Sequence, residues 1–194
     1  MHLVRSVPGA TYSTRYDMWA RHGTRLASAF NPDSAYVVEV TTGPQSPPVR
    51  VAVVGEAGFP GLAWSPDGRK LAVGYTDASN NYRATARVFE IDANGAVTSA
   101  GPALDLGGKA DQIENLVWLP DASALLLLNW DDAPGGTIVL RPLDPARPPV
   151  RFATDVNAAG SFFLEPGGRS VVFQSRGPSG ATIWTADFLP VKKQ

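Results

Sequence analysis

The sequence predicts an all-β chain made of four copies of one structural repeat. Residues 61–73 read as a strand, a Pro-Asp-Gly turn and a second strand. Echoes of this hairpin recur at intervals of 45, 54 and 46 residues. The composition agrees, because 19 Gly and 17 Pro suit frequent turns and 44% hydrophobic residues can fill a core. Since a four-stranded propeller blade takes roughly 40 to 50 residues, the expected fold is a β-propeller of four four-stranded blades.

The strands of each blade follow from aligning the four copies on one reference position, which is occupied by Trp19, Trp64, Trp118 and Leu164. The reference residue lies near the end of an inner strand. Second strands are predicted at 26–29, 70–74, 125–128 and 171–173, and third strands at 36–40, 87–92, 137–141 and 182–187. An outer strand is clearest at 47–51 and 148–152, where the leading prolines are those that an edge strand tolerates.

The same register predicts an outer strand at the N-terminus. Arg5 precedes Trp19 by 14 residues, as Arg50 precedes Trp64, while the fourth unit has no convincing outer strand of its own. We therefore expect residues 2–6 to complete the last blade. This can happen within one chain, as a four-bladed ring, or across a dimer that makes eight blades. The single predicted domain, 1–194, has blades at approximately 12–54, 59–106, 113–154 and 159–194 plus the closing strand 2–6.

A family resemblance supports the repeat. The segment 64–73, WSPDGRKLAV, resembles the WD40-like (PD40) repeat of TolB-type β-propellers, in which an aromatic residue, Ser-Pro-Asp-Gly and a basic residue precede an apolar strand. The resemblance is weaker in the other three units, and together the four units cover nearly the whole chain. It implies a propeller fold but no particular activity. TolB itself resembles a six-bladed propeller with a second domain, whereas this chain has four units and no room for that domain.

Charge and hydropathy limit the classes of partner. The net charge of −1 and the isoelectric point near 6.1 offer no basic face for a nucleic acid. The longest apolar run, 124–128, is too short to span a bilayer, so we expect a soluble chain without membrane insertion. The absence of cysteine fits several compartments. The expected location is cytoplasmic if Met1 is native, and periplasmic or extracellular if a signal peptide was removed.

No catalytic motif is complete. The segment 177–180 places its second glycine one position too early for a nucleophile elbow, and Gly108 with Lys109 lacks the rest of a phosphate-binding loop. The two histidines, His2 and His22, have no cysteine to join them in a zinc site. We therefore expect no catalytic residues, no metal site and no cofactor, and we do not expect an enzyme.

The tryptophans are expected to be structural. Trp19, Trp64 and Trp118 share one repeat position, which favours packing between neighbouring blades. Trp184 lies in a predicted third strand and is expected to belong to the core. Trp130 differs, because it begins a loop.

The loops between second and third strands are expected to lie on one face of a propeller and to form a recognition surface there. Aromatic rings supply rigid contact area and polar groups supply orientation, although solvated turns would show the same residue types. Calcium ligation by Asp131 with Asp132, or by Asp77 with Asn80, is an alternative use, but neither pair has calcium-loop spacing. The candidate binding residues of this predicted upper face are Asp77, Asn80, Asn81, Tyr82, Arg83, Trp130, Asp131 and Asp132.

The function predicted from these features is that of a non-catalytic β-propeller scaffold for protein–protein interaction or self-assembly, with a protein partner or a second copy of the chain bound. One alternative is a propeller that binds a small molecule or glycan, including a hydrolase or lyase that acts through Asp77, Asp131 and Asp132. Another is the propeller accessory of a larger protein, since peptidases of the prolyl oligopeptidase kind carry similar repeats.

Overall fold

All regular structure in the described part of the chain is β-strand. The structure is a computed structural model, and it describes residues 15–20, 24–32, 35–43, 45–54, 57–77, 81–109, 112–130, 137–152, 158–165, 168–177 and 180–187. Across these ranges sixteen strands form four antiparallel sheets, which succeed one another along the chain. The predicted all-β class is therefore confirmed.

The first two sheets contain the first nine strands. The first sheet has the order β1-β2-β3-β4, with β1 at Arg15–Trp19, β2 at Leu26–Phe30, β3 at Tyr36–Thr41 and β4 at Val49–Val54. The second sheet has the order β5-β6-β7-β8, with β5 at Ala57–Trp64, β6 at Lys70–Asp77, β7 at Arg83–Ile91 and β8 at Val97–Ala100; β9 at Leu104–Lys109 also pairs with β7.

The remaining strands form the third and fourth sheets. The third sheet has the order β10-β11-β12-β13, with β10 at Gln112–Trp118, β11 at Ala124–Trp130, β12 at Thr137–Pro142 and β13 at Val150–Phe152. The fourth sheet has three strands among the described residues, β14 at Ala158–Leu164, β15 at Ser170–Gly177 and β16 at Gly180–Asp187. The predicted closing strand 2–6 lies outside the described residues.

The turn between the inner and second strands repeats in all four sheets. Its first residue donates a backbone hydrogen bond to the carbonyl five positions later, and these pairs are Ala20 to Arg25, Ser65 to Lys70, Leu119 to Ala124 and Glu165 to Ser170. The spacing of these turns reproduces the sequence period, because each lies one residue after a reference position. Gly68 and Gly168 both have a φ of +67°, a left-handed conformation that glycine adopts without strain.

A serine and an aspartate brace two of these turns. In the second sheet the Ser65 hydroxyl donates to Asp67 Oδ1 over 2.6 Å, and the Arg69 amide donates to the same oxygen over 3.1 Å. In the third sheet the hydroxyl and amide of Ser123 both donate to Asp121 Oδ1. These hydrogen bonds, the serine hydroxyl first, hold the pKa of Asp67 and of Asp121 below the ordinary aspartate value of 3.8.

The lowered pKa of Asp67 predicts an acid-dependent loss of stability. A carboxylate whose pKa is lower in the folded state stabilises the fold above its unfolded-state pKa, and this contribution is lost as the pH falls through the folded-state pKa. Because Asp67 is exposed and solvent screens its charge, we expect Asp67→Asn to lower the free energy of unfolding at neutral pH by less than about 1 kcal/mol, and this difference from the parent chain to disappear as the pH falls below about 4. Urea unfolding across that range measures the difference, and Ser65→Ala should raise the pKa of Asp67. A difference that did not change with pH would contradict this.

The second sheet has a divided outer edge, which sequence analysis did not predict. The turn at 92–95 leads from β7 into β8, and the Gly95 amide donates to the Asp92 carbonyl over 3.1 Å. The chain then bends at Gly101, whose amide donates to the Val88 carbonyl. It continues as β9, which pairs with the same edge of β7 as β8 does. The extra strand accounts for the longer interval of 54 residues between the second and third reference positions.

Three hydrophobic clusters join the sheets in succession. The first packs the first sheet on the second, the second packs the second sheet on the third, and the last packs the third sheet on the fourth. In the second sheet, the bulky side chains of Leu71 and Val73 face the first sheet, whereas the small side chains of Ala72 and Ala86 face the third. Within the described ranges no hydrophobic cluster joins the fourth sheet to the first.

Candidate functional site

The predicted upper face is only partly described. Asp77 ends β6 and Arg83 begins β7, and the two are cross-strand partners at the tip of that hairpin. Trp130 ends β11, where it pairs with Gln112 at the start of β10. Because Asp77 and Trp130 both lie at the end of a second strand, the topology places them at the same end of their sheets. Asn80, Asp131 and Asp132 lie outside the described residues, so the predicted recognition surface remains a prediction.

Two residues of this predicted face have an uncommon backbone conformation. Asn81 and Tyr82 have φ values of 54° and 57°, and both are exposed. Asparagine tolerates this left-handed conformation, but a bulky aromatic residue adopts it at a cost of roughly 1–2 kcal/mol. Tyr82 is therefore exposed to solvent while its backbone is strained.

Arg83 has a structural partner. Its guanidinium forms an ion pair with the carboxylate of Asp105 on β9, and both side chains are about half exposed. This pair ties the start of β7 to the continuing outer edge of the second sheet. Arg83 is therefore already engaged within the chain, which the sequence alone could not show.

The described part of the chain has no group of three or more His, Asp or Glu side chains arranged to hold a metal ion.

Arg141 is a buried charge that sequence analysis missed. Its guanidinium donates to the Arg147 carbonyl, its pKa is lowered by burial, and it lies near Asp105 and Asp144. The described ranges contain no helix with the length and apolarity needed to cross a bilayer.

A groove opens at the opposite end of the sheets. It has a volume of about 400 Å³ and is lined by the inner-strand ends of all four sheets, including Trp19, Trp64, Trp118 and Phe163. The turn residues Pro66 and Pro120 complete its walls with Glu165. The groove is thus predominantly apolar and aromatic, with one carboxylate at its edge.

Two of the tryptophans join neighbouring sheets, as predicted. Trp64 is 8% exposed and donates its indole N–H to the Met18 carbonyl over 3.1 Å. Trp118 is 6% exposed and donates in the same way to the Ala63 carbonyl over 2.9 Å. Met18 and Ala63 each lie one residue before the reference position of the preceding sheet. In both junctions, therefore, the reference tryptophan of one sheet donates a hydrogen bond to the inner strand of the preceding sheet.

Two other tryptophans contradict the prediction. Trp19 occupies the same repeat position but is 53% exposed, because no described sheet precedes the first. Trp184 was expected in the core but is 43% exposed, because β16 lies at the edge of the described part of the fourth sheet. Position in the repeat therefore did not predict the burial of these two rings, which depends on whether another strand or sheet covers them.

The fourth sheet also presents large apolar side chains that sequence analysis missed. Phe163 is 70% exposed and Ile183 is 76% exposed. Their cross-strand partners, Val172 and Gln174, alternate along β15 with core residues Val171 and Phe173, so Phe163 and Ile183 lie on the face that points away from the third sheet. A sequence signal existed, since Phe163 aligns with Ala63, which faces the following sheet.

Comparison with known proteins identifies the fold. No protein-family model matches the chain, and no curated protein matches it. Among solved structures, TolB from Acinetobacter baumannii is similar at 16% identity with a TM-score of 0.61, covering 85% of this chain and 39% of that one. A putative TolB from Agrobacterium tumefaciens is similar at 14% identity with a TM-score of 0.59, covering 84% and 57%.

A third similar structure is itself a β-propeller domain. The β-propeller domain of the Trilobed protease from Pyrococcus furiosus, described as having an open velcro topology, is similar at 14% identity with a TM-score of 0.53, covering 90% of this chain and 57% of that chain. The sheets and these similarities define a β-propeller protein. More particularly, the fold is TolB-like, and the chain spans 39% and 57% of the lengths of the two TolB structures.

Proposed function

We propose that this protein is a non-catalytic propeller scaffold that binds protein through the outward faces of its first and fourth sheets. The outward face of the first sheet points away from the second sheet, and that of the fourth sheet points away from the third. The observation that carries the proposal is the contrast between apolar side chains that lie between sheets and those on the outer faces of the first and fourth sheets. Trp64 and Trp118 are buried between sheets, whereas Trp19 is exposed at one end of the series and Phe163 and Ile183 are exposed at the other. Exposed apolar residues grouped in this way are typical of protein interaction surfaces.

The chemistry of the described residues supports binding over catalysis. The side chains that line the groove are mostly apolar or aromatic, with Glu165 as the charged member. A general acid and base, or a nucleophile with its base, would have to lie within hydrogen-bond reach of a reacting group. The engaged polar groups have structural partners instead, such as Asp67 with Ser65 and Arg83 with Asp105.

A photo-crosslinking experiment tests the proposal. The crosslinking residue p-benzoylphenylalanine is placed at Ile183, on the outward face of the fourth sheet, and at Val150 as the control. Val150 is exposed on the outer strand β13 of the third sheet. We expect irradiation to give protein adducts at position 183 in at least tenfold excess over position 150, because only position 183 would lie in an interface. Equal adducts at the two positions would overturn the proposed function.

A further inference from the structure

Each sheet of this propeller has two different faces. The side chain at the reference position faces the preceding sheet, as Trp64 and Trp118 do. The residue just before it faces the following sheet, as Ala63 does in the second sheet and Val117 does in the third. Every junction between described sheets therefore joins one face of each kind, and the tryptophan donates across it where a tryptophan is present.

One face of each kind is left over. The first sheet presents Trp19 on the face where a preceding sheet would lie, and the register also places the exposed Val53 there, opposite Val37. The fourth sheet presents Phe163 and Ile183 on the face where a following sheet would lie. These two outward faces are the two halves of the junction that the chain already forms three times within itself.

We infer that two copies of this chain associate head to tail, with the Trp19 face of one copy packed on the Phe163 and Ile183 face of the other. The Trp19 indole N–H then donates to the Phe163 carbonyl of the second copy, as Trp64 donates to Met18 within the chain. Two such junctions complete one assembly of eight sheets. This inference rests on the proposed function and names the protein that the outward faces bind.

Continuity with the existing junctions favours a second copy over an unrelated protein. Each copy carries both halves of the interface, so two identical junctions cover the outward faces of the first and fourth sheets of both copies, as far as the described residues define them. The net charge of −1 per chain opposes this association only weakly.

The molar mass in solution and an introduced thiol pair test the inference. We expect twice the chain mass of 20.5 kDa by light scattering. The chain has no cysteine, so Val53→Cys and Ile183→Cys introduce the only thiols. With a short bismaleimide, a mixture of the two single variants should give a two-chain product, while each variant alone should not, because the two positions lie on the two different faces that the proposed junction brings together.

The double variant Val53→Cys with Ile183→Cys separates the alternatives. A covalent two-chain product supports head-to-tail pairing, whereas an internally linked single chain would show that the fourth sheet closes on its own first sheet. A single-chain mass, or a ladder of larger assemblies, would also overturn the inference. If photo-crosslinking at Ile183 captured only a different protein, the proposed function would stand and this inference would fail.

Point variants measure the strength of the interface. Ile183→Asp should weaken the dimer at least tenfold, because it places a charge in the apolar junction, while Val150→Asp on β13 should leave the dimer unchanged. Circular dichroism verifies that both variants fold. If both variants weakened the dimer equally, the outward face of the fourth sheet would not be the interface.

Discussion

Replacing Trp118 with alanine is expected to lower the free energy of unfolding by about 3–5 kcal/mol, one of the two largest effects of a single substitution predicted for this chain. The ring is buried in the cluster that joins the second and third sheets, where it packs with Leu116, Leu125 and Leu127. Alanine would leave a cavity at the junction and remove the hydrogen bond to the Ala63 carbonyl. Since domains are stable by only about 5–15 kcal/mol, much of the stability would be lost.

Trp118→Phe separates the hydrogen bond from the packing. It keeps an aromatic ring but removes the indole N–H, so the buried Ala63 carbonyl loses its donor at a cost of about 1–3 kcal/mol. Urea unfolding followed by circular dichroism measures both variants, with the exposed Val150→Ala expected within about 0.5 kcal/mol of the parent chain. A loss below about 1 kcal/mol for Trp118→Ala would show that the ring does not join the sheets.

Replacing Gly168 with alanine is expected to cost about 2–5 kcal/mol, for two reasons that add. Gly168 has a φ of +67°, which strains any residue with a Cβ. That Cβ would also overlap Cγ and Cδ of Pro120 in the neighbouring turn of the third sheet. The proline ring is fixed to its own backbone, so it cannot rotate away as a flexible side chain would. The third and fourth sheets would therefore have to move apart at this contact.

Gly180→Ala is the control for strain without overlap. Gly180 has a φ of +119° and nothing within 4 Å of the added Cβ, so its substitution should cost about 1–3 kcal/mol from strain alone. Thermal unfolding measures both variants, and each kcal/mol should lower the Tm by roughly 2–4 °C. If Gly168→Ala were no more destabilising than Gly180→Ala, the contact between the two turns would not contribute to packing of the sheets.

Much of the fold could be predicted from the sequence because its signals are local. The Pro-Asp-Gly turn and the alternation of apolar residues set where hairpins form, and β6 begins at Lys70 as predicted. The divided outer edge at β8 and β9 was missed, because a strand that bends at Gly101 carries weak alternation. The candidate binding residues were chosen from loops, where residue type alone cannot show that Arg83 is paired with Asp105.

The sequence by itself determined the repeat, its period and the residue at each reference position, since these depend on local backbone chemistry. Only the tertiary structure decided what each of those residues does. Trp19 and Trp64 are the same residue at the same repeat position, yet one is 53% exposed and the other 8% exposed. The physical reason is that a side chain is buried only when a second surface covers it. The sequence of a repeat does not specify whether another sheet packs against the face that carries its tryptophan.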